Sequence, residues 1–114
     1  MEIWHNPRCS KSRQTKERLD EAGVTYAERR YLDDPPTVEE LSRVVEALGI
    51  EPRELVRTGD ARKLGLDLAA LGDDRGAWFR LMADHPSIIE RPVVIADDGR
   101  AVLGRPPEDV DRLL

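Results

Sequence analysis

The first thirty residues constrain the fold most strongly, because they alternate between strand-like and helix-like segments. Residues 2–5 predict a short buried strand, and Pro7 prevents a helix from starting at once. Residues 10–22 are rich in Lys, Arg, Gln and Glu, which predicts a helix that Gly23 ends. Residues 25–32 predict a second strand. A strand, a helix and a strand at this spacing imply a parallel pair joined by a right-handed crossover.

The middle of the chain predicts helices without strands. Thr37 and Glu40 form a capping-box pattern, and apolar residues at helical spacing follow as far as Gly49. The helical signal is weaker over residues 51–71, where short helical pieces are broken at three glycines, Gly59, Gly65 and Gly72. Residues 76–85 predict another helix.

The last quarter of the chain predicts a hairpin and a final helix. Residues 92–96 and 101–103 are largely apolar and flank an Asp98-Gly99 turn, which is typical of a β-hairpin. Pro106-Pro107 then opens a helix. Three apolar residues are expected on its inner face, namely Val110, Leu113 and Leu114.

This order of elements predicts the architecture. The first strand pair is parallel and the hairpin is antiparallel, so the sheet is mixed and helices flank it. That is a thioredoxin-like α/β fold with a helical insertion, at about residues 37–86, between the second strand and the C-terminal hairpin. A chain of 114 residues fits one domain, so we expect residues 1–114 to form a single thioredoxin-like domain.

Composition excludes several classes of function. The formal net charge of -5 argues against general binding to nucleic acid or to a membrane surface, which needs a basic footprint. No apolar run approaches the roughly 20 residues of a membrane span, and no signal-peptide pattern opens the chain. A single cysteine suits a reducing compartment, so we expect a cytoplasmic protein. No residue pattern calls for a metal or a bound cofactor.

The single cysteine, Cys9, stands where the first predicted helix begins. A helix N-terminus carries partial positive charge and unpaired N–H groups, so a thiol there can ionise near neutral pH. Three basic neighbours, Arg8, Lys11 and Arg13, add positive charge. The Ser12 hydroxyl could reach the sulfur or a bound anion, and His5 could bias the thiol proton. The alternative for Cys9 is a buried, unreactive cysteine. The alternative for His5 is a histidine at the end of a strand whose hydrogen bonds are made with the backbone.

Three arginines occur at unusual places in the sequence. Arg57 follows a short apolar stretch, Arg91 precedes the apolar strand that starts at Pro92, and Arg105 lies between the hairpin and the last helix. In the predicted layout Arg91 faces the cysteine turn. Guanidinium groups that converge on a thiolate would bind an oxyanion and stabilise developing charge. The alternative is that these are three unrelated surface or ion-pairing arginines.

Several segments together resemble the arsenate reductases of the thioredoxin-like, glutaredoxin-coupled type. The opening run HNPRCSKSR (5–13) is similar to that family's H-N-P-x-C-x-x-S-R signature. Four further blocks follow in the family's order, namely YLDDPP (31–36), LVR (55–57), HP with RPVV (85–86 and 91–94) and GRP (104–106). The resemblance covers nearly the whole chain.

The resemblance implies a function for each of these residues. Cys9 is expected to be the nucleophile that attacks arsenate, and the expected substrate-binding residues are the arginines Arg57, Arg91 and Arg105. Supporting roles fall to five residues of the same blocks, namely His5, Asn6, Ser12, Arg13 and Pro92. Pro92 is expected to follow a cis peptide bond, as in thioredoxin-like folds. The co-substrate would be glutathione or an equivalent low-molecular-weight thiol, and a glutaredoxin-like protein would be the partner.

Two other functions share the fold and Cys9. An Spx-like regulator would bind RNA polymerase without turnover, although Ser12 stands where many of those proteins carry a second cysteine. A monothiol oxidoreductase of glutaredoxin type would exchange disulfides and would not need three arginines. Because this chain has one cysteine, any redox cycle that it completes needs a thiol from another molecule.

Overall fold

The computed structural model describes residues 1–114, and the chain forms two compact units. The sheet unit comprises Met1–Asp34 and Arg91–Leu114, and the helical unit comprises Pro35–Glu90. The helical unit is therefore inserted in the sequence between the second strand and the hairpin, as the order of elements predicted. The interpretation of the whole chain as a single domain stays a prediction.

The sheet unit contains a four-stranded mixed sheet. Its elements are β1 (Glu2–Trp4), α1 (Ser10–Glu21), β2 (Ala27–Arg29), β3 (Val93–Ile95), β4 (Ala101–Leu103) and a C-terminal 3₁₀ helix (Pro107–Leu113). The strand order is β2-β1-β3-β4. The β1–β2 pair is parallel, and the β1–β3 and β3–β4 pairs are antiparallel. The predicted mixed sheet, with a parallel first pair and a C-terminal hairpin, is confirmed.

One face of the sheet carries the core of this unit. Ile3, Val94 and Val102 lie side by side on neighbouring strands, and all three are buried. Leu19 of α1 and Val110 of the C-terminal 3₁₀ helix belong to the same buried cluster. Burying such side chains contributes roughly 1.5–3 kcal/mol each, so this cluster holds α1 on the sheet.

The second strand is shorter than predicted. It spans Ala27–Arg29 instead of residues 25–32. At its C-terminal end the chain turns, because the carbonyl of Arg30 accepts hydrogen bonds from the N–H groups of Asp33 and Asp34. The strand is also largely exposed.

The final helix is a 3₁₀ helix, which changes its inner face. With three residues per turn, Pro107, Val110 and Leu113 share one face, and all three are buried. Leu114 falls outside that repeat and is 51% exposed, so the prediction that it faces inward is wrong.

The helical unit contains three α-helices and three short 3₁₀ helices. They are α2 (Val38–Leu48), α3 (Thr58–Lys63) and α4 (Arg75–Asp84), with 3₁₀ helices at Pro52–Leu55, Leu68–Leu71 and Pro86–Ile88. Helices α2 and α4 are in contact, and α2 buries Leu41, Val44 and Val45. None of the helices in the chain combines the length and the apolar character needed to cross a membrane.

The helix ends of this unit follow the sequence signals closely, with one exception. Thr37 and Glu40 form the predicted capping box, and Gly49 ends α2 in the left-handed conformation at φ 67°. Gly59 lies inside α3 with an ordinary φ, so the predicted break there is wrong. Gly65 and Gly72 do adopt positive φ, because only glycine does so without strain.

The capping box gives a direct test of the helical unit. The Thr37 side chain accepts a hydrogen bond of 3.1 Å from the Glu40 N–H. We expect Thr37→Ala to lower the free energy of unfolding by about 1 kcal/mol, measured by urea denaturation. The matched control is Thr25→Ala, at an exposed position outside any helix. Equal losses in the two variants would contradict the assignment.

Candidate active site

The turn between β1 and α1 places Cys9 at the helix N-terminus. The Cys9 N–H donates to the Asn6 carbonyl at 3.0 Å, and the Arg8 N–H donates to the Asn6 side-chain oxygen at 3.0 Å. Cys9 is the N-cap residue, with extended backbone at φ −94° and ψ 122°, and its carbonyl accepts from the Arg13 N–H at 3.0 Å. The Arg13 guanidinium donates to the Pro7 carbonyl at 2.8 Å, so it closes the turn from outside.

The surroundings of Cys9 stabilise its thiolate. The residue is half-buried, and its side chain does not form a capping hydrogen bond with α1. Burial by itself raises the pKa of the thiol, but the N–H groups of Ser12 and Lys11 and the Arg91 side chain face the sulfur. Their combined effect outweighs burial, so the pKa of the Cys9 thiol lies below its ordinary value. This combination of a lowered pKa and partial exposure is typical of a reactive cysteine.

The Ser12 hydroxyl is used differently from the prediction. Its oxygen lies 2.7 Å from Nδ1 of His5 and accepts from the Asn6 N–H at 3.0 Å. All three residues are buried, so these bonds fix the turn from within. The hydroxyl is therefore engaged by the turn, and it is the backbone N–H of Ser12 that faces the sulfur.

Burial controls the protonation of His5. The residue is 4% exposed, and desolvation lowers the pKa of its imidazole below the ordinary value. Glu28 opposes this effect, while Lys16, Arg30 and Arg13 reinforce it. At neutral pH His5 is uncharged, and its Nδ1 contact with Ser12 makes it a support for the cysteine turn.

Arg91 and Arg105 lie next to each other at the hairpin ends. The Arg91 side chain faces the Cys9 sulfur and lowers the pKa of the thiol by hydrogen bonding to the thiolate and by its positive charge. A guanidinium N–H of Arg105 donates to the Arg91 carbonyl at 3.3 Å, and Arg105 is exposed to solvent. The peptide bond between Arg91 and Pro92 is cis, as the resemblance implied. A second cis bond joins Arg105 to Pro106, which the sequence interpretation did not anticipate.

Arg57 belongs to the helical unit. An antiparallel bridge between Val56 and Ile89 positions it, and its N–H donates to the Ile88 carbonyl at 2.7 Å. Its guanidinium forms ion pairs with Asp60 at 2.7 Å and with Glu90 at 3.7 Å. The side chain is 28% exposed.

Within the sheet unit, the structure brings most of the predicted site residues together. They are Cys9, its turn partners His5, Asn6, Ser12 and Arg13, and the hairpin residues Arg91, Pro92 and Arg105. One buried polar residue near them, Thr15, was missed. The sequence could have predicted that Thr15 is buried, because Ser12, Thr15 and Leu19 follow the three- and four-residue spacing of a buried helix face.

No cluster of three or more His, Cys, Asp or Glu side chains is placed so that it could hold a metal ion. The polar groups that converge on Cys9 are N–H donors and a guanidinium. Such donors favour an anion. The arrangement can therefore hold a negatively charged group next to an ionised sulfur.

Comparisons with known proteins agree with this arrangement. The sequence model of the ArsC family matches residues 4–113. An uncharacterized protein of the glnII region of Streptomyces viridochromogenes is 44% identical over 96% of this chain and 95% of its own length. The arsenate reductase of Neisseria meningitidis is 42% identical over 100% of this chain and 97% of its own. The solved arsenate reductase of Vibrio cholerae is 42% identical, with a TM-score of 0.82 and coverage of 100% and 98%. The thioredoxin-like fold is confirmed.

The lowered pKa of Cys9 predicts a specific pH dependence. We expect the alkylation rate of Cys9 to reach its plateau at a lower pH than that of a free cysteine, since the thiolate is the reacting form. Arg91→Ala removes a group that stabilises the thiolate, so the pKa should rise and alkylation near neutral pH should slow several-fold. Arg43→Ala, at an exposed position on α2, is the control. Identical pH profiles for Arg91→Ala and wild type would contradict the contact.

The lowered pKa of His5 predicts how stability varies with pH. Since the folded protein disfavours protonated His5, the unfolded chain binds the proton more readily. Stability from this group is complete above the unfolded pKa of about 6.5 and is lost as the pH falls through the folded pKa. Urea denaturation between neutral and mildly acidic pH should show this loss, and His5→Gln should reduce the slope. A slope of opposite sign in wild type would contradict the argument.

Proposed function

Because the chain belongs to the ArsC family, we propose that it is an arsenate reductase in which Cys9 is the nucleophile. One observation carries the proposal: a half-buried thiol at a helix N-terminus, with a lowered pKa, is hydrogen-bonded by an arginine side chain. This environment stabilises the thiolate, and the positive charge of Arg91 beside it supports the binding of an oxyanion there. The names of similar proteins from Neisseria meningitidis and Vibrio cholerae support the same activity.

Arg91 and Arg105 are the proposed arsenate-binding residues of the sheet unit. Guanidinium groups present forked donors that suit a tetrahedral oxyanion. The N–H groups at the start of α1 add donors without an entropic cost, because the helix already orients them. Arg57 keeps its proposed substrate-binding role on the resemblance alone.

The first proposed step joins sulfur to arsenic. The Cys9 thiolate attacks As(V), an S–As bond forms, and one As–O bond breaks. The departing oxygen leaves as an arsenate hydroxyl that takes up one proton from solvent, so the leaving group is water. Negative charge builds up on the remaining arsenate oxygens, where the arginines and the helix N-terminus stabilise it.

The second proposed step needs a thiol from outside the chain, because Cys9 is the only cysteine. A low-molecular-weight thiolate such as glutathione attacks the Cys9 sulfur, and a mixed disulfide forms as the S–As bond breaks. The bonding electron pair goes to arsenic, which is reduced to As(III) and leaves as arsenite. A glutaredoxin-like protein then attacks the sulfur of the small thiol and releases Cys9 as a thiolate.

The activity assay compares wild type with Cys9→Ser and Arg91→Ala. Arsenate reduction with thiol and glutaredoxin should disappear in Cys9→Ser. Arg91→Ala should lower kcat/KM for arsenate about 100-fold, the usual effect of removing one donor to a developing oxyanion. The assay uses phosphate-free buffer, because phosphate has the same shape and charge as arsenate.

Two controls separate this function from its alternatives. Disulfide exchange on a glutathione mixed disulfide should fall much less in Arg91→Ala than arsenate reduction does; equal losses would favour a monothiol oxidoreductase. Recovery of RNA polymerase with the protein, together with absence of turnover, would favour an Spx-like regulator. Cys9→Ser that reduces arsenate as fast as wild type would exclude the proposed nucleophile.

A further inference from the structure

Thr15 connects the cysteine helix to the end of the hairpin. It lies six residues after Cys9 on α1 and is completely buried. Its hydroxyl lies 2.9 Å from the Lys11 carbonyl and 3.3 Å from the Gly104 carbonyl. A single hydroxyl proton shared between a helix carbonyl and a strand-end carbonyl ties the two elements together.

Gly104 leaves no space between these elements for a side chain. A Cβ atom on Gly104 would lie 2.4 Å from Oγ1 and 2.9 Å from Cγ2 of Thr15, and 2.7 Å from Cγ of Pro92. Real Cβ atoms essentially never approach other atoms to within 3.0 Å. The constraint is steric contact, because Gly104 does not adopt a positive φ. The close approach of α1 to the hairpin end therefore depends on glycine at this position.

The same contact is linked through the backbone to Arg91, which faces the thiol, and to Arg105, which bonds the Arg91 carbonyl. The Gly104 N–H donates to the Pro92 carbonyl at 2.9 Å, which joins the segments that carry Arg91 and Arg105. Arg105 follows Gly104 directly, and its guanidinium reaches the Arg91 carbonyl. We therefore expect a shift of Gly104 away from Thr15 to displace the segments that carry both arginines relative to the N-terminus of α1, where Cys9 lies.

We propose that Thr15 and Gly104 are positioning residues that set the distance between the Cys9 thiol and the guanidinium groups of Arg91 and Arg105. Neither residue needs to touch the anion. We call this contact the spacer. The buried hydroxyl of Thr15 and the absence of a side chain at Gly104 together set how closely the end of the hairpin packs against α1. The proposal rests on the proposed function only for the identity of the anion.

Gly104→Ala tests the spacer. To reach ordinary contact at 3.4 Å from the present 2.4 Å, the new Cβ must move away from Thr15 by about 1 Å. A displacement of that size at a reacting site costs about 100-fold in rate. We expect a fall in kcat/KM for arsenate of roughly 10- to 100-fold, with a higher KM because the arginines that hold arsenate are displaced. We also expect a rise in the pKa of the Cys9 thiol, which can be followed by the ultraviolet absorbance of the thiolate.

A double variant provides the rescue. Thr15→Ala removes Oγ1 and Cγ2, two of the three atoms that a Cβ at position 104 would meet, while Pro92 Cγ remains. We therefore expect Thr15→Ala with Gly104→Ala to recover part of the affinity and thiol pKa lost in Gly104→Ala. Such a recovery is a coupling between neighbours that independent effects would not produce.

Matched controls separate positioning from a loss of stability. Gly76→Ala introduces a Cβ whose nearest neighbours are side-chain atoms of Arg80 and Asp74, so it should leave KM and thiol pKa unchanged. If Gly104→Ala does not fold, Thr15→Val keeps the shape and deletes the hydroxyl. It should raise KM and thiol pKa relative to Thr25→Val, at an exposed position.

Unchanged KM and thiol pKa in a folded Gly104→Ala, or in Thr15→Val where that variant is needed, would overturn the proposal. A lower melting temperature without these shifts would also overturn it, because the residues would then be structural only. If wild type reduces no arsenate, the proposed function fails on its own. Thiol pKa and the affinity for arsenate measured by calorimetry would still decide whether Thr15 and Gly104 position the site.

Discussion

The stabilised negative charge on Cys9 is the interaction on which the rest of the site depends. Partial burial would keep an isolated thiol protonated, and two elements supply what offsets it. The start of α1 provides N–H groups, and the segment before β3 provides Arg91. Neither element could act if the helix and the hairpin end were displaced from each other. The buried cluster around Ile3, Leu19 and Val94 therefore has an electrostatic consequence as well as a stabilising one.

Much of this arrangement could be predicted because it depends on local signals. Pro7 delays the helix and Gly23 ends it, so the chain itself places Cys9 at a helix N-terminus. The capping box at Thr37 and the hairpin turn at Gly99 are equally local. Each of these features depends on a backbone preference of one or two residues, and tertiary packing reinforces them.

Other features depended on packing between distant segments and could not be predicted in the same way. The Ser12 hydroxyl had several partners within reach in the sequence, and only the folded turn decides that it bonds His5 and Asn6. The inner face of the final helix depended on whether its repeat was three residues or 3.6, which moved Leu114 outward. The close packing of Gly104 against Thr15 could not be predicted from the sequence, because the two residues lie 89 positions apart.

The exposed strand β2 has a consequence for how this sheet meets other molecules. It forms one edge of the sheet, is three residues long, and presents Glu28 and Arg29. Short, charged edge strands are a device by which natural sheets resist pairing with a further strand. Lateral growth of the sheet by a second copy or an extended peptide is therefore discouraged at this edge. At high protein concentration we therefore expect β2 to be a poor template for strand pairing between molecules.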